Sequence, residues 1–267
     1  MGEDRVRVRV GDNGVATVAL IRSDKHNALD YAMFEELLKA ADEVAANRHV
    51  RAVVLYGEGM SFCSGLDIPS FLDGPAGIEE LLVREPGREA NFAQRAAYDW
   101  SRVPAPVIAA ITGNCFGGGL QIALGADIRI AAPDAKLSIM EVKWGLVPDM
   151  AFTQSLPRLV GIDVAKELTF TGRILSGAEA DALGLVTRTA PDPFASALHL
   201  ADQLAERSPD AVRAAKRLFD ETWGDTDVAA ALALETDLQI DLYGKPNQVE
   251  AVAAGVAKRV PCFTDPD

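Results

Sequence analysis

Cysteine and histidine are scarce in this 267-residue chain, with three of each. Cys63, Cys115 and Cys262 are an odd number at no metal-binding spacing, so no disulfide framework is expected. Thiols left unpaired point to a reducing compartment, and a cytoplasmic location is the expectation. His26, His49 and His199 are scattered and form no ligand pair, so no metal site is expected. Basic residues are also short: 26 Lys and Arg face 39 Asp and Glu, a net charge of −13. That balance argues against nucleic acid as a partner, because a phosphate-backbone binder needs a basic face. No apolar run reaches the roughly 18 residues of a membrane span, and Met1-Gly2-Glu3-Asp4 shows no apolar signal region, so no membrane partner is expected. There is no P-loop Gly-Lys-Ser/Thr. Gly57-Glu58-Gly59-Met60-Ser61-Phe62 begins like a dinucleotide fingerprint but lacks its third glycine. No fixed-period repeat is present. What remains is an anionic globular chain, 49% hydrophobic and 24% charged, able to bury a large core as one large domain or two modest ones.

Along the chain, Val6, Val8 and Val10 alternate with arginines as a half-buried strand, and Gly11-Asp12-Asn13-Gly14 turns into a second strand, Val15–Ile21. A polar loop from Arg22 to Asn27 leads to an amphipathic helix from about Asp30, with Met33, Leu37, Leu38, Ala41 and Val44 at helical spacing. Arg51–Tyr56 and Val107–Ile111 are short apolar runs expected to be buried strands, as are Ile128–Ala131 and Lys136–Ile139. The stretch Ile68 to Arg88 mixes proline, glycine and acids and is expected to be a loop or a mobile helix. Alternating strand, loop and helix up to about residue 140 favours an α/β fold, and the character changes after about residue 190. Ala195–Arg207, Asp210–Thr222, Asp227–Tyr243 and Pro246–Lys258 then follow as helices without a strand, with Ser208-Pro209 a clear start signal. The expected division is therefore 1–192 as the α/β core and 193–267 as a helical C-terminal region.

Two loops carry chemistry. Ser61-Phe62-Cys63-Ser64-Gly65-Leu66-Asp67 follows one buried strand, and Gly117-Gly118-Gly119-Leu120-Gln121 follows the next. Glycines let a backbone approach a ligand closely, and a helix start offers unpaired N–H groups. Two such loops on neighbouring strands can aim two N–H groups at one oxygen, the geometry of an oxyanion hole. Each loop alone also fits a tight strand-to-helix turn.

Together, Phe62-Cys63-Ser64-Gly65-Leu66-Asp67 and Gly113-Asn114-Cys115-Phe116-Gly117-Gly118-Gly119 resemble the crotonase (enoyl-CoA hydratase/isomerase) superfamily. Lys25-His26-Asn27-Ala28-Leu29 is similar to its first CoA-binding loop, and Ala126-Asp127-Ile128-Arg129 to the strand after its glycine helix. Ser176-Gly177-Ala178-Glu179-Ala180 with Gly184-Leu185-Val186 is similar to the segment before its C-terminal helices. The resemblance covers nearly the whole chain. It implies an α/β, crotonase-like spiral of ββα units with a C-terminal helical oligomerisation region. It further implies acyl-CoA thioester substrates, no cofactor beyond the coenzyme A of the substrate, and a homotrimer or dimer of trimers. By position, Leu66 and Gly118 would supply the oxyanion-hole N–H groups. Lys25, His26, Ala28, Ser64, Gly65, Asp67 and Ile68 would cradle coenzyme A, with Lys258 and Phe263 as C-terminal contacts. Phe263 could equally be a hydrophobic anchor.

The resemblance also raises the question of which acids are present. Hydration in this family relies on two glutamates, and the first of those positions is Gln121, whose amide carries no proton at neutral pH. The second is present as Glu141, and Asp149 follows eight residues later. Glu and Asp at this spacing resemble the dienoyl-CoA isomerases, although those have aspartate at the Gln121 position. The Asp149 position also resembles the nucleophile of 4-chlorobenzoyl-CoA dehalogenase, which carries tryptophan at the Glu141 position. A carboxylate lining an apolar pocket has its pKa raised by desolvation and carries protons better near neutrality. The expected activity is double-bond isomerisation of an unsaturated acyl-CoA by a proton shuttle on Glu141, with Asp149 as second carrier and Gln121 orienting water or substrate. The alternatives are hydration with a single glutamate and a non-catalytic acyl-CoA binder.

Overall fold

The computed structural model describes residues 4–72, 77–224 and 227–266. Residues 1–3 of the amino terminus and 73–76 of the Ile68–Arg88 stretch lie outside them, as does the final residue. The strands are β1 (Val6–Val10), β2 (Val15–Leu20), β3 (Ala52–Gly57), β4 (Val107–Ile111), β5 (Asn114–Phe116), β6 (Ile128–Ala131), β7 (Lys136–Ser138), β8 (Leu175–Ser176) and β9 (Arg188–Thr189). The helices are α1 (Tyr31–Ala46), α2 (Ile68–Leu72), α3 (Ile78–Leu81), α4 (Phe92–Arg102), α5 (Gly118–Leu124) and α6 (Phe152–Ser155). They continue with α7 (Ile162–Thr171), α8 (Gly177–Ala182), α9 (Pro193–Ala205), α10 (Pro209–Thr222), α11 (Val228–Leu242) and α12 (Pro246–Ala257).

β1 and β2 form the expected antiparallel hairpin, with Val6 opposite Leu20 and Val10 opposite Ala16. From β2 the sheet is parallel, in the order β1-β2-β3-β4-β6-β9. Parallel neighbours need a crossover, which α1 supplies between β2 and β3 and α4 between β3 and β4. Helix α1 starts where Asp30 accepts a hydrogen bond from the Met33 N–H at 2.9 Å, an N-cap that satisfies one orphan donor of the first turn. Its Met33, Phe34, Leu37 and Leu38 pack with Val18, Leu20 and Trp100 in the larger core. The opposite face of the sheet is covered by α9, whose Ala197 and Ala201 meet Val54, Ile108 and Ile130. The first helix of the 193–267 region thus lies directly on the sheet.

Two elements depart from the expectations. A short strand, β5, sits inside the glycine-rich turn and pairs with β7 in a second, three-stranded sheet, β5-β7-β8. Helix α5 starts at Gly118, two residues before the expected Leu120. The Ile68–Arg88 stretch, expected as a loop or a helix, contains the short helices α2 and α3.

Helices α10 to α12 are attached differently from the core. Lys216 Nζ is 2.7 Å from the Asp127 carboxylate, and Arg213 donates to the carbonyls of Arg48 and Val50 at 3.2 and 3.1 Å. Helix α11 buries only Leu238, while Val228, Leu232 and Ile240 are exposed. Val249, Val252 and Val256 of α12 are exposed as well.

Candidate active site

Strands β3 and β4 are parallel neighbours, so the loops that follow them leave the same edge of the sheet, where α/β proteins place their sites. Those loops are hydrogen-bonded side by side: Cys63 N–H donates to the Asn114 carbonyl and Phe116 N–H to the Cys63 carbonyl, both at 3.0 Å. The contact is so close that glycine is required. A Cβ added to Gly119 would lie 2.5 Å from the Cys63 carbonyl oxygen. One added to Gly65, which has φ +90°, would lie 2.9 Å from the Phe116 carbonyl oxygen and 3.9 Å from Gly117 Cα. Cys63 and Cys115 are fully buried at this seam, and burial pushes the Cys63 thiol up to about 12 and Cys115 well above its ordinary value. They are packing groups, since the thiolate is the reactive form of cysteine.

A third segment joins from the other side. Leu29 N–H donates to the Gly65 carbonyl at 2.8 Å, Asp67 N–H to the Leu29 carbonyl at 3.0 Å, and Ser64 N–H to the His26 carbonyl at 3.0 Å. Lys25, His26 and Ala28 are therefore brought together with Ser64, Gly65, Asp67 and Ile68, the last at the start of α2. His26 adopts φ 50° and its Nδ1 is 3.0 Å from Ser61 Oγ. Asp67 has an internal partner: Arg22 lies 2.7 Å from its carboxylate and also contacts Asp30 at 3.5 Å. This ion-pair network, which the sequence reading missed, ties the Lys25–Leu29 segment to the loop after β3. Among the described residues, the N–H groups of Leu66 and Gly118 have no hydrogen-bond acceptor, whereas Asp67 N–H donates to the Leu29 carbonyl and Gly117 N–H to the Ser138 carbonyl at 2.9 Å. Two free donors thus stand on adjacent peptides, as an oxyanion hole requires.

Glu141 approaches this turn from the segment after β7, in a single helical turn, Glu141–Trp144. Its Oε1 would be 3.3 Å from a Cβ added to Gly117, so the carboxylate abuts the donor loop. Gln121, on α5, donates from Nε2 to Glu141 Oε1 at 2.6 Å and accepts the Met150 N–H on its own Oε1 at 2.8 Å. Glu141 Oε2 is buried and has no partner. Burial raises the Glu141 pKa and the nearby Asp149 raises it further, against the lowering effect of its own backbone N–H and of Gln121. Asp149 sits at the exposed rim, and the protein around it likewise raises its pKa. Met150 packs beside the donor loop, its sulfur 2.9 Å from a Cβ added to Gly118. Only the neighbouring Asp149 drew attention to this position in the sequence.

Lys258 and Phe263 are not brought to this cluster. Thr264 accepts from Asn247, and Asp265 pairs with Arg51 at 2.7 Å, at the amino end of β3. The site lies beyond the carboxyl end of that six-residue strand, about 20 Å away at ~3.3 Å per residue. A cavity of about 880 Å³ separates the core from the helical tail, lined by Leu124, Phe219, Trp223 and Leu238, with Gln121 and Met150 in its wall.

Free donors on two seamed loops, with a carboxylate against them, can hold an oxyanion beside a group able to carry a proton. The family model for enoyl-CoA hydratase/isomerase matches residues 11–266. The chain belongs to that family. It is 34% identical over 270 residues to the human enoyl-CoA hydratase domain-containing protein 2, mitochondrial, covering 98% of this chain and 89% of the relative. It is 31% identical over 271 residues to the mouse methylglutaconyl-CoA hydratase, mitochondrial, covering 98% of this chain and 84% of the relative. The crystal structure of the Bacillus anthracis enoyl-CoA hydratase superimposes with a TM-score of 0.89 at 29% identity, covering 98% of this chain and all of that one. The crotonase-type fold expected from the two loops is therefore the observed one. Membership makes the chain an acyl-CoA enzyme of the hydratase/isomerase family.

Proposed function

We propose that the enzyme isomerises the double bond of an unsaturated acyl-CoA, with Glu141 as the proton carrier. One observation carries this reading: beside the free donors stands one carboxylate with one unpartnered oxygen, and the residue facing it is an amide. A group that must take a proton and return it needs a single basic oxygen; placing and splitting a water calls for a second acid or base. In the forward step Glu141 Oε2 takes a proton from C2 of a 3-enoyl thioester, and the C–H electron pair moves into the carbonyl. The enolate oxygen is held by the N–H groups of Leu66 and Gly118. The carbonyl then re-forms, C2=C3 becomes the new double bond, and C4 takes the proton back from Glu141. Over a longer conjugated chain, Asp149 serves as second carrier. The transfers balance with protons alone, so the reading invokes no metal or redox cofactor; coenzyme A enters as part of the thioester.

Lys25, His26, Ala28, Ser64, Gly65 and Ile68 hold the coenzyme A portion on this reading, and Asp67 acts by fixing the loop through Arg22. Residues 1–192 supply the acyl-CoA site, and the region from 193 on, chiefly α10–α12, supplies self-association as a homotrimer or dimer of trimers. The support is α11, a helix with apolar residues on every side and only Leu238 buried, which asks for a covering surface. Lys258 and Phe263 would then meet coenzyme A held by a neighbouring copy. No helix among the described residues is long and apolar enough to cross a membrane. The unpaired thiols favour a cytoplasmic setting.

The hydratase names of the relatives favour a second reading, hydration by Glu141 alone with Asp149 placing the water. Offering crotonyl-CoA, a 3-enoyl-CoA and a 3,5-dienoyl-CoA to the purified protein separates the two. Faster turnover of the 3-enoyl or dienoyl thioester supports isomerisation. Fast hydration of crotonyl-CoA with the others untouched overturns it, and binding of all three with no turnover leaves a non-catalytic binder.

A further inference from the structure

Gln121 occupies the position where an acid was expected, and its surroundings define a different task. Met150 N–H is a donor and nothing else, so the oxygen of the Gln121 amide must face it, as the 2.8 Å contact shows. The amide nitrogen is thereby turned toward Glu141 and donates to Oε1 at 2.6 Å. Both ends of the amide are engaged, and the side chain is buried. A proton taken up by Glu141 is favoured on Oε2, the oxygen with no partner, because Oε1 already accepts the Gln121 N–H.

We propose that Gln121 is a positioning residue, a neutral clamp that joins the Glu141 turn to the Asp149–Met150 backbone and designates Oε2 as the oxygen that exchanges protons with the substrate. The clamp rests on the reading of Glu141 as proton carrier and adds a division of labour between its two oxygens. It also removes Gln121 from the task of orienting water. A glutamate at 121 could still accept the Met150 N–H, but its second oxygen would face Glu141 Oε1 at hydrogen-bond distance. Two carboxyls so placed cannot both ionise and must share a proton.

The test compares kcat, KM and the pH dependence of kcat for wild type, Gln121→Met, Gln121→Glu and Glu141→Gln, with thermal melting to establish that each is folded. Gln121→Met should lose roughly 10–100-fold in kcat, the scale of a misplaced catalytic group, with KM for the thioester nearly unchanged. Its acidic limb should move to higher pH, because an N–H that favoured the ionised carboxylate is gone. Gln121→Glu, close to isosteric with wild type, should move that limb further in the same direction. If the methionine variant fails to fold, the glutamate variant alone decides. A clamp of purely structural value would leave the limb in place. Limbs superimposable on wild type in the folded variants, with Glu141→Gln inactive, would overturn the clamp and leave the proposed function standing. An active Glu141→Gln would instead overturn the proposed function.

Discussion

The seam between the loops after β3 and β4 and the helical tail from α10 onward obey opposite rules. At the seam the backbone is fully committed. Each strand of it bonds to the other, glycines stand where a methyl group would strike a carbonyl, and the N–H groups of Leu66 and Gly118 are left without an acceptor, as the proposed reaction requires. In the tail the backbone is saturated within its own helices, while the side chains are not: apolar residues of α11 and α12 face outward, and a few polar anchors hold the segment to the sheet. Precision in this protein resides in backbone packing within one chain. The tail leaves apolar side chains of α11 and α12 exposed, the surface that the proposed self-association would cover.

Substitutions that add one methyl group expose the contrast most sharply. Gly119→Ala would place a Cβ 2.5 Å from the Cys63 carbonyl oxygen and 2.7 Å from its Cβ, neither of which can rotate away. The expected loss is about 3 kcal/mol or more, read as a fall in Tm or as insoluble protein. A variant melting with wild type would show that the seam is looser than its hydrogen bonds imply. Lys216→Met removes the best-buried anchor of the tail, the 2.7 Å contact to Asp127. Asp127 still accepts from Val107 N–H at 2.7 Å, so the expected cost is about 1–3 kcal/mol, with proteolysis of the tail increasing before the core is cut. Equal protection of both regions would contradict the division between them.

A smaller effect, and one of opposite sign, is expected at Glu141. Because burial raises its pKa, the fold is less tolerant of the ionised than of the protonated carboxyl. The stability it contributes is complete below its ordinary value of 4.5 and is lost as pH rises through the raised folded value. Glu141→Gln should therefore melt higher than wild type at neutral pH, with the gain disappearing in acid below that ordinary value. A variant that melts lower at neutral pH would mean that Glu141 is a structural anion. The smallest effect belongs to Gly255→Ala in α12, where an added Cβ meets nothing within 4 Å. Helix propensity alone predicts a gain of no more than about 1 kcal/mol, and a clear loss would reveal a close neighbour at that face.

The two loop motifs were legible in the sequence because glycine and small residues at a strand end have a backbone meaning independent of context. The hairpin, the parallel strands and the four C-terminal helices were legible from periodicity. Strand β5 was hidden: three residues, Asn114–Phe116, carry no period, and only pairing with β7 makes them a strand. The ion-pair tether from Arg22 to Asp67 joins residues 45 positions apart and leaves no local trace. Gln121 was visible as a departure from an expected acid, but its task was not, because its partners Glu141 and the Met150 peptide lie 20 and 29 residues further along the chain and only the fold brings them to it. Lys258 and Phe263 matched a motif, yet a motif does not say which end of the sheet a tail is pinned to.

The most direct test of one carboxylate carrying one proton follows the hydrogen itself. A 3-enoyl-CoA deuterated at C2, turned over in ordinary water, should give a 2-enoyl product carrying part of the label at C4, and Glu141→Gln should give no product. Turnover that persists in Glu141→Gln with the label still delivered to C4 would show that some other group moves the proton, and the account would be wrong.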